Sequence, residues 1–375
     1  MLEITLLPAR EGDAIWIRWG DPAAPHRILI DMGTGETGER IRNDIEALPQ
    51  DQRRIDLLVV SHVDRDHIGG VLTCLAEAEP IPGLQIGDVW FNGYEHLSGK
   101  SVTPIPEPAN PEGGRLEPMG PVQGERLGPW LRQQPWNVAF DGGPVCRNPN
   151  TAPPKRTMHD DLTLTILGPT PERLKKFKRT WKKAVEEALE KGTLSSVSPG
   201  LEPMGPKVPP VLEYPNDLEM LAKTRNAPDN SLANGSSIAL LLEYRNRRVL
   251  LSGDAFADDL VEGIGALGGG RLSLDAFKLP HHGSRKNVLR PLVESVDCGR
   301  WVFSTDGNGF RHPDPVALAR VISYSTAPMP HLCFNVPSRF NGWWDNDNWR
   351  GMYNYTTEYG TKQDGLTLSL IPEDE

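Results

Sequence analysis

At 375 residues the chain is long enough for one large α/β domain with insertions, or for two average domains. No window is long and apolar enough to span a bilayer, which excludes a membrane channel. The formal net charge of −10 argues against a non-specific nucleic-acid coat, though not against a local basic channel. Cys74, Cys146, Cys298 and Cys333 form no CxxC pair, so no disulfide framework or zinc knuckle is expected, and their scatter suggests a reducing, cytoplasmic setting.

The N-terminus lacks a basic region followed by a long apolar segment, so Met1–Leu7 reads as a first strand and not as a signal peptide. Glu11-Gly12-Asp13-Ala14 makes a turn, Ile15–Trp19 alternates as a strand, and the apolar strand Arg27–Ile30 ends at Asp31. Asp31 before Met32-Gly33 reads locally as a turn residue. Gly38–Leu48 is a candidate helix. Ile55–Val60 then reads as a buried strand, and it delivers Ser61-His62-Val63-Asp64-Arg65-Asp66-His67-Ile68-Gly69-Gly70. His62, Asp64, Asp66 and His67 place four metal-capable side chains within six residues, on a loop leaving a strand. Open α/β sheets put reactive groups there. Two His and two Asp on a buried loop carry a large desolvation cost, and a bound cation is the simplest neutraliser.

Ile86–Gly93 gives a further strand and turn. From about residue 95 to 228 the chain becomes rich in Pro and Gly, and the hexapeptide Leu-Glu-Pro-Met-Gly-Pro occurs at Leu116–Pro121 and again at Leu201–Pro206. Two copies do not make a solenoid. Within this insertion Leu162–Leu167 alternates as a strand, and Pro171 stands near the start of a helix reaching Lys191. Both are assigned to the core, and the basic run Arg173–Lys183 to a solvated helix face. Ile238–Tyr244 and Val249–Leu251 form a hairpin that delivers Asp254 to a strand end. Ala276–Leu279 leads into Pro280-His281-His282-Gly283-Ser284, and Trp301–Thr305 leads through a flexible loop to Arg311-His312-Pro313. The aromatic, Asn-rich stretch Trp343–Tyr355 is expected to pack a long loop, and Gly365–Ile371 to form a final strand. His26, His96, His159 and His331 lie outside any ligand spacing.

The HxDxDHxGG run of residues 62–70 resembles the metal signature of the metallo-β-lactamase superfamily, in the variant where Asp replaces the second His of HxHxDH. That variant is similar to the hydrolase domain of the DNA-uptake protein ComEC and its stand-alone soluble relatives. The resemblance runs motif by motif over residues 1–94 and 229–340 and only loosely over 95–228. It implies an α/β (α+β) fold, the four-layer αββα sandwich, as a single domain over residues 1–375 with the Pro/Gly-rich insertion at 95–228. It also implies two divalent ions held by His62, Asp64, Asp66, His67, Asp254 as the bridging carboxylate, and His282 or His281. Asp31, Asn234 and Ser284 would support these ligands. Asn234 stands where many members carry another metal-binding His, and Asp64 and Asn234 make the site richer in oxygen. Zn²⁺ and Mn²⁺ are therefore both candidates, with Mg²⁺ also open.

The chemistry implied is attack by a metal-activated hydroxide on phosphorus. Asp66 would orient the water or accept its proton, while Lys278, Arg285 or His312 would neutralise the leaving oxygen. By the same resemblance the substrate would be a nucleic-acid (DNA or RNA) or nucleotide phosphodiester. Alternatives are a lactone, ester or amide hydrolase, or a partner-gated effector subunit of a bacterial defence system, meeting its protein partner through residues 95–228.

Overall fold

The computed structural model describes residues 1–98, 120–191 and 204–372. Residues 116–119 of the first Leu-Glu-Pro-Met-Gly-Pro copy and 201–203 of the second lie outside the described residues. The first sheet contains β1 (Leu2–Leu6), β2 (Ile15–Trp19), β3 (His26–Ile30), β4 (Leu57–Val59), β5 (Val89–Trp90) and the last strand, β14 (Leu366–Ile371). Its order is β14-β1-β2-β3-β4-β5. The second sheet contains β6 (Lys155–Thr157), β7 (Thr163–Gly168), β8 (Ala239–Tyr244), β9 (Arg247–Leu251), β10 (Ala276–Lys278), β11 (Arg300–Phe303), β12 (His331–Phe334) and β13 (Thr356–Tyr359). These follow the order β13-β12-β11-β10-β9-β8-β7-β6, antiparallel from β6 to β9 and parallel from β9 to β13.

Strand alternation sorts the side chains into three apolar layers. Ile4, Ile17, Ile28, Ile30 and Val59 of the first sheet meet Leu164, Ile166, Leu240, Leu242, Val249 and Leu251 of the second. The opposite face of the first sheet, with Leu29 and Leu58, is covered by α1 (Gly35–Ala47), α2 (Arg65–Val71), α3 (Pro121–Leu131) and α4 (Pro171–Lys191). The opposite face of the second, with Leu250, Phe277 and Trp301, is covered by α5 (Ala257–Ala266) and α6 (Pro315–Tyr324). The layers therefore run helix, sheet, sheet, helix, the αββα sandwich. β4 and β10 are buried on both faces, which is why they read as unbroken apolar runs apart from Lys278.

The insertion contributes to this frame. β7 pairs antiparallel with β8, with Leu242 opposite Leu164, and α4 buries Phe177, Trp181 and Val185. The basic face of α4 points to solvent, where Lys176, Lys182 and Lys183 pair with Glu172, Glu186 and Glu187. In the aromatic stretch Trp344 is fully buried and packs against Trp349 and Tyr355. No described helix is long and apolar enough to cross a membrane.

The C-terminal ends of β3, β4, β9, β10 and β11 open at one edge of the sandwich. They carry Asp31, the 61–67 loop, Asp254, the 281–282 pair and Ser304 respectively. The parallel direction of these strands collects the polar groups of the chain in one place.

Candidate metal centre

Asp64 is the N-cap residue of α2, so the helix begins within the ligand loop and turns His67 inward, fully buried. Asp31 lies behind the loop at φ 57°, a left-handed conformation that costs a non-glycine residue about 1 kcal/mol or more. Its carboxylate accepts from Ser61 N–H at 2.7 Å, from Ser61 Oγ at 2.6 Å and from His67 Nδ1 at 2.8 Å. Nδ1 of His67 is thus committed, and Nε2 is left to face the centre. The β1–β2 turn closes against the same loop at Gly12, where a Cβ would fall 1.7 Å from the Asp66 carbonyl oxygen. Only glycine allows that approach.

The second half of the centre is the 280–283 turn. His281 and His282 are both left-handed, at φ 50° and 54°, and Gly283 follows at 83°. Two successive left-handed residues turn both rings toward Asp254. His282 Nδ1 donates to the Ser304 carbonyl at 2.9 Å, and His281 Nδ1 donates to Asn287 Oδ1 at 3.0 Å. A Cβ on Gly283 would lie 2.7 Å from Phe303 and 2.9 Å from Pro313.

Around Asp254 the candidate ligand atoms divide into two groups. Toward Oδ1 lie His67 Nε2 at 3.5 Å and His282 Nε2 at 3.7 Å; these nitrogens are 3.3 Å apart, and Asp66 Oδ2 is 3.4 Å from His282 Nε2 and 3.8 Å from His67 Nε2. Toward Oδ2 lie His62 Nε2 at 3.8 Å and His281 Nε2 at 3.7 Å, with Asp64 Oδ2 3.6 Å from His62 Nε2. Ligand atoms around one tetrahedral ion with bonds of about 2.0–2.1 Å stand about 3.3–3.4 Å apart, so both groups are close to that spacing. Buried His62 Nε2 and Asp254 Oδ1 have no hydrogen-bond partner, as expected of atoms kept for a cation.

Electrostatics point the same way. Burial works against charge on His67, but Asp254, Asp66 and Asp31 outweigh it and raise its pKa well above the ordinary value. Burial likewise opposes charge on His282, which Asp254 and Asp13 nevertheless push up to about 9. Burial would raise Asp254 and Asp66, yet the neighbouring imidazoles hold both below the usual carboxylate range. The cluster thus demands positive charge, which protons supply on the bare protein and divalent ions could supply in their place.

Asp13 also stands within this group: one ligand atom each from Asp13, His67, Asp254 and His282 falls within 4.8 Å of the others. Its carboxylate is paired with Lys278, and its Oδ1 lies 3.5 Å from Nδ1 of His282, the ring nitrogen already bonded to Ser304. Asp66 faces Nε2, the open nitrogen, so Asp66 is better placed as a ligand and Asp13 as support for His282.

Lys278 is placed differently from the sequence expectation. Its side chain is buried, its Nζ bonds Asp13 and the Gly253 carbonyl, and it lies beneath the ligands. β10 is a central strand covered on both faces, so Lys278 has no route to a leaving group at the rim. His312 is buried with its ring 5.6 Å from that of His281. Asn234 Nδ2 lies 3.2 Å from His281 Nδ1 and donates to Asp229 Oδ2 at 2.8 Å; Ser284 is buried and accepts from Lys286 N–H. Arg285 is part-exposed beside Asp314.

Sequence reasoning misses three supporting residues. Asp13 is visible there only as part of a turn. Asp229, 3.4 Å from His281 Nδ1, and Asn287, which bonds both His281 and the Asp254 carbonyl, have no spacing signature at all. The other histidines form no comparable centre among the described residues. His26 and His159 stack 4.5 Å apart at 4° and, with Asp56, bring three ligand-type atoms within 4.8 Å of one another, but His159 is exposed and His26 half-buried, unlike the buried cluster. His331 has both ring nitrogens bonded, to Thr356 and Glu358.

Helix–sheet–sheet–helix layers with a buried His/Asp cluster at one edge are consistent with the metallo-beta-lactamase fold. Residues 23–121 match the model of the Metallo-beta-lactamase superfamily, a span that contains Asp31 and the 61–67 loop. Among solved structures it is similar to the metallo-beta-lactamase fold protein YhfI from Bacillus subtilis, at 10% identity and a TM-score of 0.39 over 98% of each chain. No curated protein matches it.

Proposed function

We propose that the chain is a dinuclear metal-dependent hydrolase acting on phosphodiesters. The observation that carries this reading is Asp254, whose two carboxylate oxygens face separate His/Asp groups, as a bridging ligand must. His67, His282 and Asp66 would hold one ion; His62, His281 and Asp64 would hold the other. When bound, such ions supply Lewis acidity and lower the pKa of water toward neutrality. Asp64 and Asp66 are the ligand carboxylates that keep a solvent-facing edge, at 17% and 16% exposure, so substrate would approach past them. Asp66 would take or orient the proton of the attacking water, and His312, whose ring lies 5.6 Å from that of His281, would serve the leaving oxygen.

Bound ions would be the Lewis acids that receive an anionic oxygen of the substrate. The resemblance of the ligand motif to ComEC-like proteins supports a nucleic-acid or nucleotide ester and leaves Zn²⁺, Mn²⁺ and Mg²⁺ as candidates. Hydrolysis of a carbon ester, lactone or amide is the second reading, favoured by a mostly apolar cavity that shares Asp64 with the cluster.

The test is metal content together with hydrolysis of bis(p-nitrophenyl) phosphate, linear DNA, RNA and p-nitrophenyl acetate, in EDTA and in each metal. Two ions per chain and phosphodiester cleavage lost in Asp254→Asn are expected. Acetate turnover without phosphodiester cleavage would select the second reading, and failure to bind metal would remove both.

A further inference from the structure

A cavity of about 220 Å³ opens beside the cluster, lined by Asp64, Pro121, Phe177, Thr180, Ala184 and Leu232 among others. One wall is the inward face of α4, where Phe177 is buried and held edge-on by Trp181 at 5.3 Å. Another is the 230–233 segment, which joins Asp229, beside His281 Nδ1, to Asn234. The second wall is thereby tied to the half of the centre that contains His281. Among the described residues Asp64 is the single charged residue in the lining. Lys176, Lys182 and Lys183 of α4 turn outward and pair with glutamates on their own helix.

A mostly apolar recess without a basic side chain among its described lining residues gives nothing to a phosphate backbone but rewards transfer of an uncharged group from water. Its size is informative, since an apolar cavity of about 150 Å³ can hold a benzene ring. We infer that this cavity is the specificity pocket of the centre, and that it takes one uncharged aromatic or short aliphatic group attached to the scissile bond. The inference rests on the hydrolase reading and narrows it: the substrate is a small ester with one apolar arm, threaded past Asp64, and not an extended polyanion lying in this recess. Thr180, Asn230 and Ser231 add hydrogen-bonding groups around an otherwise greasy wall.

The test compares phenylphosphonate with methylphosphonate by calorimetry on the metal-loaded full chain. Burying about 80 Å² of ring predicts that phenylphosphonate binds about 30-fold tighter. Thr180→Phe, at a part-exposed helix position, and Ala184→Leu, deeper in the recess, should each bring that ratio toward one while methylphosphonate affinity and metal content stay unchanged. Equal affinities in the wild type, no binding of either phosphonate, or a phenyl preference that survives both substitutions would overturn the inference. Failure of the hydrolase reading has a different signature, a phenyl preference that persists while no ester is turned over.

Discussion

Replacing Asp31 by Asn removes a charge while keeping shape, and the structure dictates the outcome. The carboxylate is met by three groups: Ser61 N–H on Oδ1, and Ser61 Oγ and His67 Nδ1 on Oδ2. The Ser61 N–H is an obligatory donor, so the amide oxygen of Asn must take the Oδ1 place and its NH₂ the Oδ2 place. Ser61 Oγ can turn its proton away, but His67 then meets a donor with Nδ1. It relieves that clash by moving its proton to Nε2, which abolishes the lone pair facing His282 and Asp254. To bind an ion, His67 must return to the clashing tautomer and leave a buried donor unpaired, at about 1–3 kcal/mol. That corresponds to roughly 10- to 100-fold weaker binding of the ion on the His67 side. Competition against a chromophoric chelator should show one site weakened and the His62 side little changed. Wild-type affinity at both sites in Asp31→Asn would refute the assignment of Asp31 as the residue that fixes His67.

Asp254→Asn should lose both ions together, measured by metal analysis after gel filtration, because one carboxylate serves both groups. Lys278→Met leaves the Asp13 carboxylate buried and unpaired and should cost about 3–5 kcal/mol in urea unfolding, while Lys278→Met combined with Asp13→Leu recovers much of it. Gly283→Ala adds a Cβ 2.7 Å from Phe303 at a left-handed residue, so an unfolding cost of about 2–4 kcal/mol is expected. His282 is raised from 6.5 to about 9 and His67 also upward, so their stabilisation is full below pH 6.5 and lost as pH rises toward 9. EDTA-treated protein should therefore melt at falling temperatures across that window, and metal-loaded protein, whose imidazoles are already unprotonated, should not.

The four-layer fold and the 61–67 loop are legible in the sequence because each rests on local pattern. Apolar runs such as Leu57–Val59 mark strands buried on both faces, and a plain turn has no use for four ligand-type residues in six positions. The roles of His281 and His282 are not separable there, since two successive left-handed residues aim both rings inward and no sequence rule announces that geometry. Lys278 is misread for a related reason. A lysine near a ligand motif reads as a rim cation, and its burial becomes reasonable only with Asp13, 265 positions away, beside it. Asp229 and Asn287 reach His281 from loops whose sequences carry no periodic or spacing signal.

The two departures from the HxHxDH-type pattern are partly offset by His281. Asp64 and Asn234 stand where two nitrogen ligands are common, and His281 returns one nitrogen from the opposite sheet. Each half then offers two imidazole nitrogens, one carboxylate of its own and one oxygen of Asp254. Equal donor sets leave the surroundings to distinguish the halves. Asp31 lies behind His67, Asp229 lies behind His281, and Asp13 near His282 is balanced by Lys278. Without Lys278 the His67–His282 half would have two uncompensated carboxylates behind it against one for its neighbour, and its ion would be held more tightly. Lys278 thus acts on charge from beneath, leaving one uncompensated carboxylate behind each half.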